Sequence, residues 1–143
     1  MKGKKILKVV LNVIIWIVIV LAATVTLITL TTREKGVSNI MGYVPLNIQT
    51  GSMEPTIMTG DLIITKKYDG ETKLKEGDVI SFFARENEST IIKTHRVKTV
   101  LDVNGMTSYV TRGDNNITDD AQQVAPGDII STWSGTRIPV LGD

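Results

Sequence analysis

The sequence contains no cysteine and a single histidine among its 143 residues. The first absence excludes disulfides, thiolate metal sites and cysteine nucleophiles, and by itself says nothing of the compartment. The second excludes any metal centre built from several imidazoles. We therefore expect neither a metal nor a cofactor. No acidic residue precedes Glu34, and no charged side chain lies between Lys8 and Arg33. A strong charge excess is missing too. The formal net charge is +1, and Lys2, Lys4, Lys5 and Lys8 supply four of the 16 basic residues. The other 12 face all 15 acidic residues, so the chain beyond the apolar stretch is about −3. That balance argues against a basic nucleic-acid surface. Sustained helical periodicity is absent beyond residue 39, which points to a mainly β class there.

What is present begins with residues 9–30, an uncharged run rich in Val, Ile and Leu. As a helix it reaches ~33 Å, enough to cross a hydrocarbon core of ~30 Å. A cleaved signal peptide would carry a shorter apolar region of ~7–15 residues and a small-residue cleavage site. Thr-Leu-Thr-Thr-Arg is a poor one, so the run reads as a retained transmembrane anchor. Four lysines before it, against Arg33 and Lys35 after it, predict a cytoplasmic N-terminus and an extracytoplasmic remainder. The expected organisation is a basic tail (1–8), an anchor (9–30), a polar linker (31–39) and one domain (40–143).

That domain reads as short strands at 46–50, 62–67, 79–83, 91–101, 108–112 and 129–133, bounded by Gly, Asp, Asn and Pro. Asn104-Gly105 is a two-residue hairpin signal, because both positions of a type I′ turn need φ > 0. Gly-Asp precedes a strand three times, at 60–61, 77–78 and 127–128, which reads as turn chemistry. The final run, Ile138-Pro139-Val140-Leu141, stops at Asp143 as though cut, so we expect the natural chain to continue.

Three segments could carry chemistry. In Thr50-Gly51-Ser52-Met53-Glu54-Pro55-Thr56, Gly51 permits a sharp turn and Pro55 biases Glu54 toward extended backbone. A rigid turn bearing a small hydroxyl suits a nucleophilic serine, and it also suits an ordinary loop. His95 lies in Ile91-Ile92-Lys93-Thr94-His95-Arg96-Val97. An imidazole titrates near neutrality, so it can take a proton from Ser52 and return it to a leaving amine. A lone histidine is more often simply packed. Lys93 is the rival base, but a lysine must first be depressed in pKa by burial. The third segment, residues 111–120, holds Asp114, Asp119 and Asp120. One carboxylate could accept the histidine ring N–H, as in a catalytic triad. A cation site and a self-bonded turn are the alternatives.

In this order and setting the chain resembles type I signal peptidases, in the branch shared by endoplasmic reticulum, archaeal and SipW-like enzymes. The carriers are Thr-Gly-Ser-Met-Glu-Pro-Thr (50–56), Gly-Asp-Leu-Ile (60–63), Gly-Asp-Val-Ile (77–80), Thr-His-Arg-Val (94–97) and Arg-Gly-Asp-Asn-Asn with Asp-Asp three residues on (112–120). The larger bacterial branch uses lysine where His95 stands. The resemblance implies a twisted antiparallel β catalytic domain behind an N-terminal transmembrane helix. It implies Ser52 as nucleophile, His95 as general base, Asp120 as the acid of the triad and Asp114 as a second important acid. It implies an oxyanion held by the Ser52 N–H, with Thr50 assisting. The substrates would be secretory preproteins, cut beside the lipid bilayer after a small residue. Eight apolar residues near the serine (Met41, Tyr43, Val44, Leu46, Ile48, Met53, Ile57 and Met58) are candidates for substrate pockets or interface, with about half expected in the core. The competing readings are a membrane-tethered, non-catalytic β binding module and a self-cleaving Ser-Lys protease of the repressor type.

Overall fold

The computed structural model describes residues 2–31, 33–34 and 36–139. The end of the chain, where a continuation is expected, lies outside the described residues. The chain divides into two units, residues 1–40 and 41–143.

The first unit is a helix, α1 (Lys2–Thr31), followed by two short strands, β1 (Arg33–Glu34) and β2 (Val37–Ser38). Lys4, Lys5 and Lys8 of the basic tail belong to this helix. Residues Gly3–Ile28 form a helix long and apolar enough to cross a membrane. Its apolar side chains are exposed all round, Leu21 and Leu27 among them. A helix apolar on every face needs an apolar surrounding, and this one associates the chain with a membrane. Thr24 and Thr26 return their hydroxyls to the carbonyls of Val20 and Ala22, at 2.7 and 2.8 Å. That keeps them compatible with lipid. Within the segment expected as a polar linker, β1 pairs antiparallel with β2, turning at Gly36 with φ +79°.

The second unit is a six-stranded antiparallel sheet. Its strands are β3 (Tyr43–Asn47), β4 (Leu62–Lys67), β5 (Val79–Glu86), β6 (Ser89–Val103), β7 (Met106–Arg112) and β8 (Ile129–Ile138). Their order across the sheet is β3-β4-β8-β5-β6-β7. β4 has the predicted bounds. β3 lies three residues earlier than predicted and ends before Ile48. It is an edge strand, which is why Pro45 is tolerated within it. Ile48 turns away because its N–H donates to the Asp61 carbonyl (2.9 Å) and its own carbonyl accepts from Gly60 (2.6 Å). β6 and β7 meet at the predicted Asn104-Gly105 turn, with φ of 55° and 78°. β5 and β6 are both longer than predicted. They join through Asn87 and Glu88, at φ 47° and 66°, a left-handed pair that a glutamate does not announce.

Two apolar clusters hold this sheet. One gathers Ile80, Phe82, Val97, Tyr109 and Val124. The other gathers Ile48, Met53, Ile57, Ile63 and Val79 beneath the serine segment. Of the eight apolar residues named above, Val44, Ile48, Met53 and Ile57 are core, while Met41, Tyr43 and Met58 are exposed.

Candidate active site

The serine segment is a single 3-10 turn, Gly51–Met53, entered from an extended Thr50 and left through an extended Glu54 (φ −65°, ψ 145°). Met53 at its end and Ile57 beyond it are fully buried. Burying each contributes roughly 1.5–3 kcal/mol, which pins the turn to the sheet. Ser52 therefore sits on a short, anchored bend.

His95 arrives from the middle of β6, paired with Ile80 of β5, and is 4% exposed. The Phe82 ring meets it edge-on with centroids 6.4 Å apart. Its Nε2 lies 3.1 Å from Ser52 Oγ and its Nδ1 lies 2.6 Å from Asp120 Oδ2. The arrangement fits one tautomer: Nδ1–H donates to Asp120, and Nε2 accepts from the Ser52 hydroxyl. Asp120 Oδ2 also accepts from Thr111 Oγ1 at 2.7 Å, and the Asp120 N–H donates to the Thr111 carbonyl at 2.8 Å. Burial pushes the Asp120 carboxyl up, but the hydrogen bonds from His95 and Thr111 and the charges of His95 and Lys93 outweigh it. The carboxyl is held below its usual range.

Asp114 has a different set of partners. Arg96 grips it with Nε on Oδ1 (2.8 Å) and Nη2 on Oδ2 (2.7 Å), and Thr56 Oγ1 donates to Oδ2 at 2.6 Å. Arg96 also donates to the Gly77 carbonyl at 2.8 Å. The Arg96 hydrogen bonds hold the Asp114 carboxyl low, against the opposing effect of burial. Asp114 makes no hydrogen bond to His95. The third carboxylate, Asp119, faces Arg112 at 3.6 Å. The three acids thus serve three different cationic partners, and no metal-holding group occurs among the described residues.

Lys93, the rival base, points to Glu86 at 3.9 Å. Thr50 Oγ1 comes within 3.4 Å of Ser52 Oγ. The site opens into a groove of about 630 Å³, with Leu46, Ile48 and Met53 on the serine side and Ile92, Thr94 and His95 on the β6 side.

The contribution of Gly113 and Asn115 was not apparent from sequence. The Asn115 N–H donates to the Ser52 carbonyl at 2.9 Å, and its side-chain amide donates to the Gly51 carbonyl at 3.1 Å. A Cβ on Gly113 would lie 2.4 Å from the Ser52 carbonyl oxygen, so only glycine lets the acidic loop pack against the serine turn. Thr111, Thr56 and Arg96 were also without a role. The only signal for them is that they sit in the same boxes as Ser52, His95 and Asp120.

A serine, a buried histidine and a half-buried carboxylate in one hydrogen-bonded line at the rim of a groove can do the chemistry of a serine hydrolase. Comparison with known proteins places it further. Residues 6–125 match the family "Signal peptidase, peptidase S26". The chain is 30% identical over 134 residues to signal peptidase I W of Bacillus subtilis, covering 93% of this chain and 69% of that protein. It is 35% identical over 104 residues to the signal peptidase complex catalytic subunit sec11 of Penicillium rubens, covering 66% and 56%. The corresponding subunit of Sclerotinia sclerotiorum is 28% identical over 102 residues, covering 66% and 58%. The chain spans little more than half the length of these two fungal subunits. It belongs to the signal peptidase family, whose members are serine endopeptidases, and the anchor-plus-antiparallel-sheet architecture fits that membership.

Proposed function

We propose that this chain removes signal peptides from secretory preproteins through Ser52, His95 and Asp120. The observation that carries the assignment is the unbroken line from Ser52 Oγ through both ring nitrogens of His95 to Asp120 Oδ2. Ser52 Oγ attacks the scissile carbonyl carbon while its proton passes to His95 Nε2. Asp120 holds the Nδ1–H and stabilises the imidazolium. The C–N bond then breaks, the leaving amine takes the proton from Nε2, and an acyl-enzyme remains. Water, deprotonated by the same nitrogen, hydrolyses the ester and restores Ser52. The Ser52 N–H belongs to the first turn of the 3-10 segment, where N–H groups have no partner inside the helix. It is the main donor to the oxyanion, and the Thr50 hydroxyl assists.

The membrane topology follows the charge pattern: lysines 2, 4, 5 and 8 in the cytoplasm, the peptidase domain outside the cell membrane. A preprotein's apolar segment stays in the bilayer, so tethering the serine to the same membrane raises its effective concentration at the cleavage site. Asp114 serves as the brace of the serine segment rather than as the partner of His95.

The test is preprotein processing by the full chain in membranes. Ser52→Ala and His95→Ala are each expected to abolish cleavage, and Lys93→Ala to retain most of it. Full cleavage by Ser52→Ala would remove the enzymatic assignment. Activity kept by His95→Ala and lost in Lys93→Ala would transfer the base to Lys93.

A further inference from the structure

Where the strands β6 and β7 meet the loop after β7 and Thr56, a second and strongly polar cavity of about 430 Å³ opens. Thr56, Arg96, Lys98, Arg112, Asp114 and Asn116 line it. Arg96 and Arg112 are direct register partners on these two strands. Like charges placed opposite one another in an antiparallel pair are destabilising. Lys98 adds a third cation, because the register shifts between Val97 and Thr99 and leaves it in a bulge. Bulges of this kind re-aim a side chain.

Only one carboxylate lines the cavity, and it is already used. Both Asp114 oxygens are taken by Arg96, and one also by Thr56. Arg112 reaches Asp119 at 3.6 Å and the Ile117 carbonyl at 3.5 Å, both weak contacts. Lys98 has no carboxylate within 4.0 Å among the described residues, though its charge is felt at Asp114. Two cations with little or no neutralisation therefore face one cavity, one of them a guanidinium whose fork suits phosphate oxygens.

We propose that this cavity is a phosphate-binding site, formed by Lys98 and Arg112 with the Asn116 amide, and that it takes a phosphate ester. The source is either the headgroup of an anionic lipid or a soluble phosphate. Because Arg96, Asp114 and Thr56 also line it, an anion there lies against the brace of the serine segment. The site does not depend on the proteolytic assignment, and its test reads binding alone.

The experiment uses the full chain in neutral-detergent micelles, titrated with inorganic phosphate against chloride at equal ionic strength. The backbone amide resonance of Gly113 is the probe. A saturable shift with phosphate and none with chloride is expected. Lys98→Gln and Arg112→Gln should each weaken it by about tenfold, the cost of one hydrogen bond to a charged group. Repeating the titration in bilayer discs separates the sources. If a lipid headgroup fills the site, phosphatidylglycerol discs shift Gly113 beforehand and abolish the phosphate response, whereas phosphatidylcholine discs leave it intact. If the ligand is soluble, both discs give the micelle result. A shift that does not saturate, or that is unchanged in both variants, overturns the proposal.

Discussion

The loop between Gly113 and Asp120 carries a carboxylate near each end, and the two ends have different surroundings. Asp120 lies on the groove side, where it receives His95 and Thr111. Asp114 lies on the far side, clamped by Arg96 and tied to Thr56. Both carboxyls are held below their usual range, for different reasons. At Asp120, burial opposes ionisation and donated hydrogen bonds overcome it. At Asp114, a bidentate guanidinium dominates. A charge next to the reacting histidine and a charge that fastens a loop can thus look alike in sequence and in pKa direction. They should separate when each is removed.

Within this loop the largest effect is expected at Asp120. Asp120→Asn keeps the shape but favours the wrong imidazole tautomer, so kcat should fall by about 10³–10⁴ with little change in Tm. Steady-state cleavage with a thermal melt measures both, and a kcat within tenfold of the parent would detach Asp120 from the chemistry. Next is Gly113→Ala, whose Cβ must displace the Ser52 carbonyl from 2.4 Å. Displacing the serine by about 1 Å costs on the order of 10²-fold in rate. A fully active variant with an unchanged melt would mean that the loop's approach is not needed.

Asp114→Asn should invert the pattern of Asp120→Asn. It loses the ion pair and leaves Arg96 unmatched, lowering Tm by roughly 5 °C, while kcat falls by about tenfold or less through the loosened serine segment. A loss of kcat as deep as that of Asp120→Asn, with an unchanged Tm, would make Asp114 a partner in the chemistry. The smallest effect is in acid. A depressed carboxylate contributes stability that is fully present above its unfolded pKa and is lost as pH falls through the folded one. With unfolded values near ~3.9, the loss falls below about pH 4. Melts across that window should show a shallower decline for Asp114→Asn than for the parent chain.

How much of this was legible varies with the range of the interaction involved. Residues 9–30 announce the helix by composition, since an uncharged run needs no partner to declare its environment. The centres of five of the six main strands followed from short apolar runs between turn residues, and Asn104-Gly105 gave its hairpin because φ > 0 is a local demand. The Asn87-Glu88 turn was missed because glutamate rarely adopts that region. β3 shifted because a backbone exchange with Gly60 and Asp61, distant in sequence, draws Ile48 out of register. At the site, Ser52, His95 and Asp120 were named from ordered boxes, and Lys93 was demoted on the same basis. The partners of Asp114 could not be read, since a carboxylate six residues from another carries no label saying which cation it will meet.

The sequence by itself determined the membrane-associating helix, the β class of the remainder, the candidate nucleophile and base, and the limits set by missing cysteine and scarce histidine. Each of these depends on residue type and short spacing. The tertiary structure decided that Asp120 rather than Asp114 lies against His95, that Gly113 must lack a Cβ, that Asn115 holds the serine turn, and that Lys98 and Arg112 share a cavity with Arg96. Those facts arise where β6, β7 and the two loops converge. Atoms dozens of residues apart come within 3 Å there, and no local pattern encodes that approach.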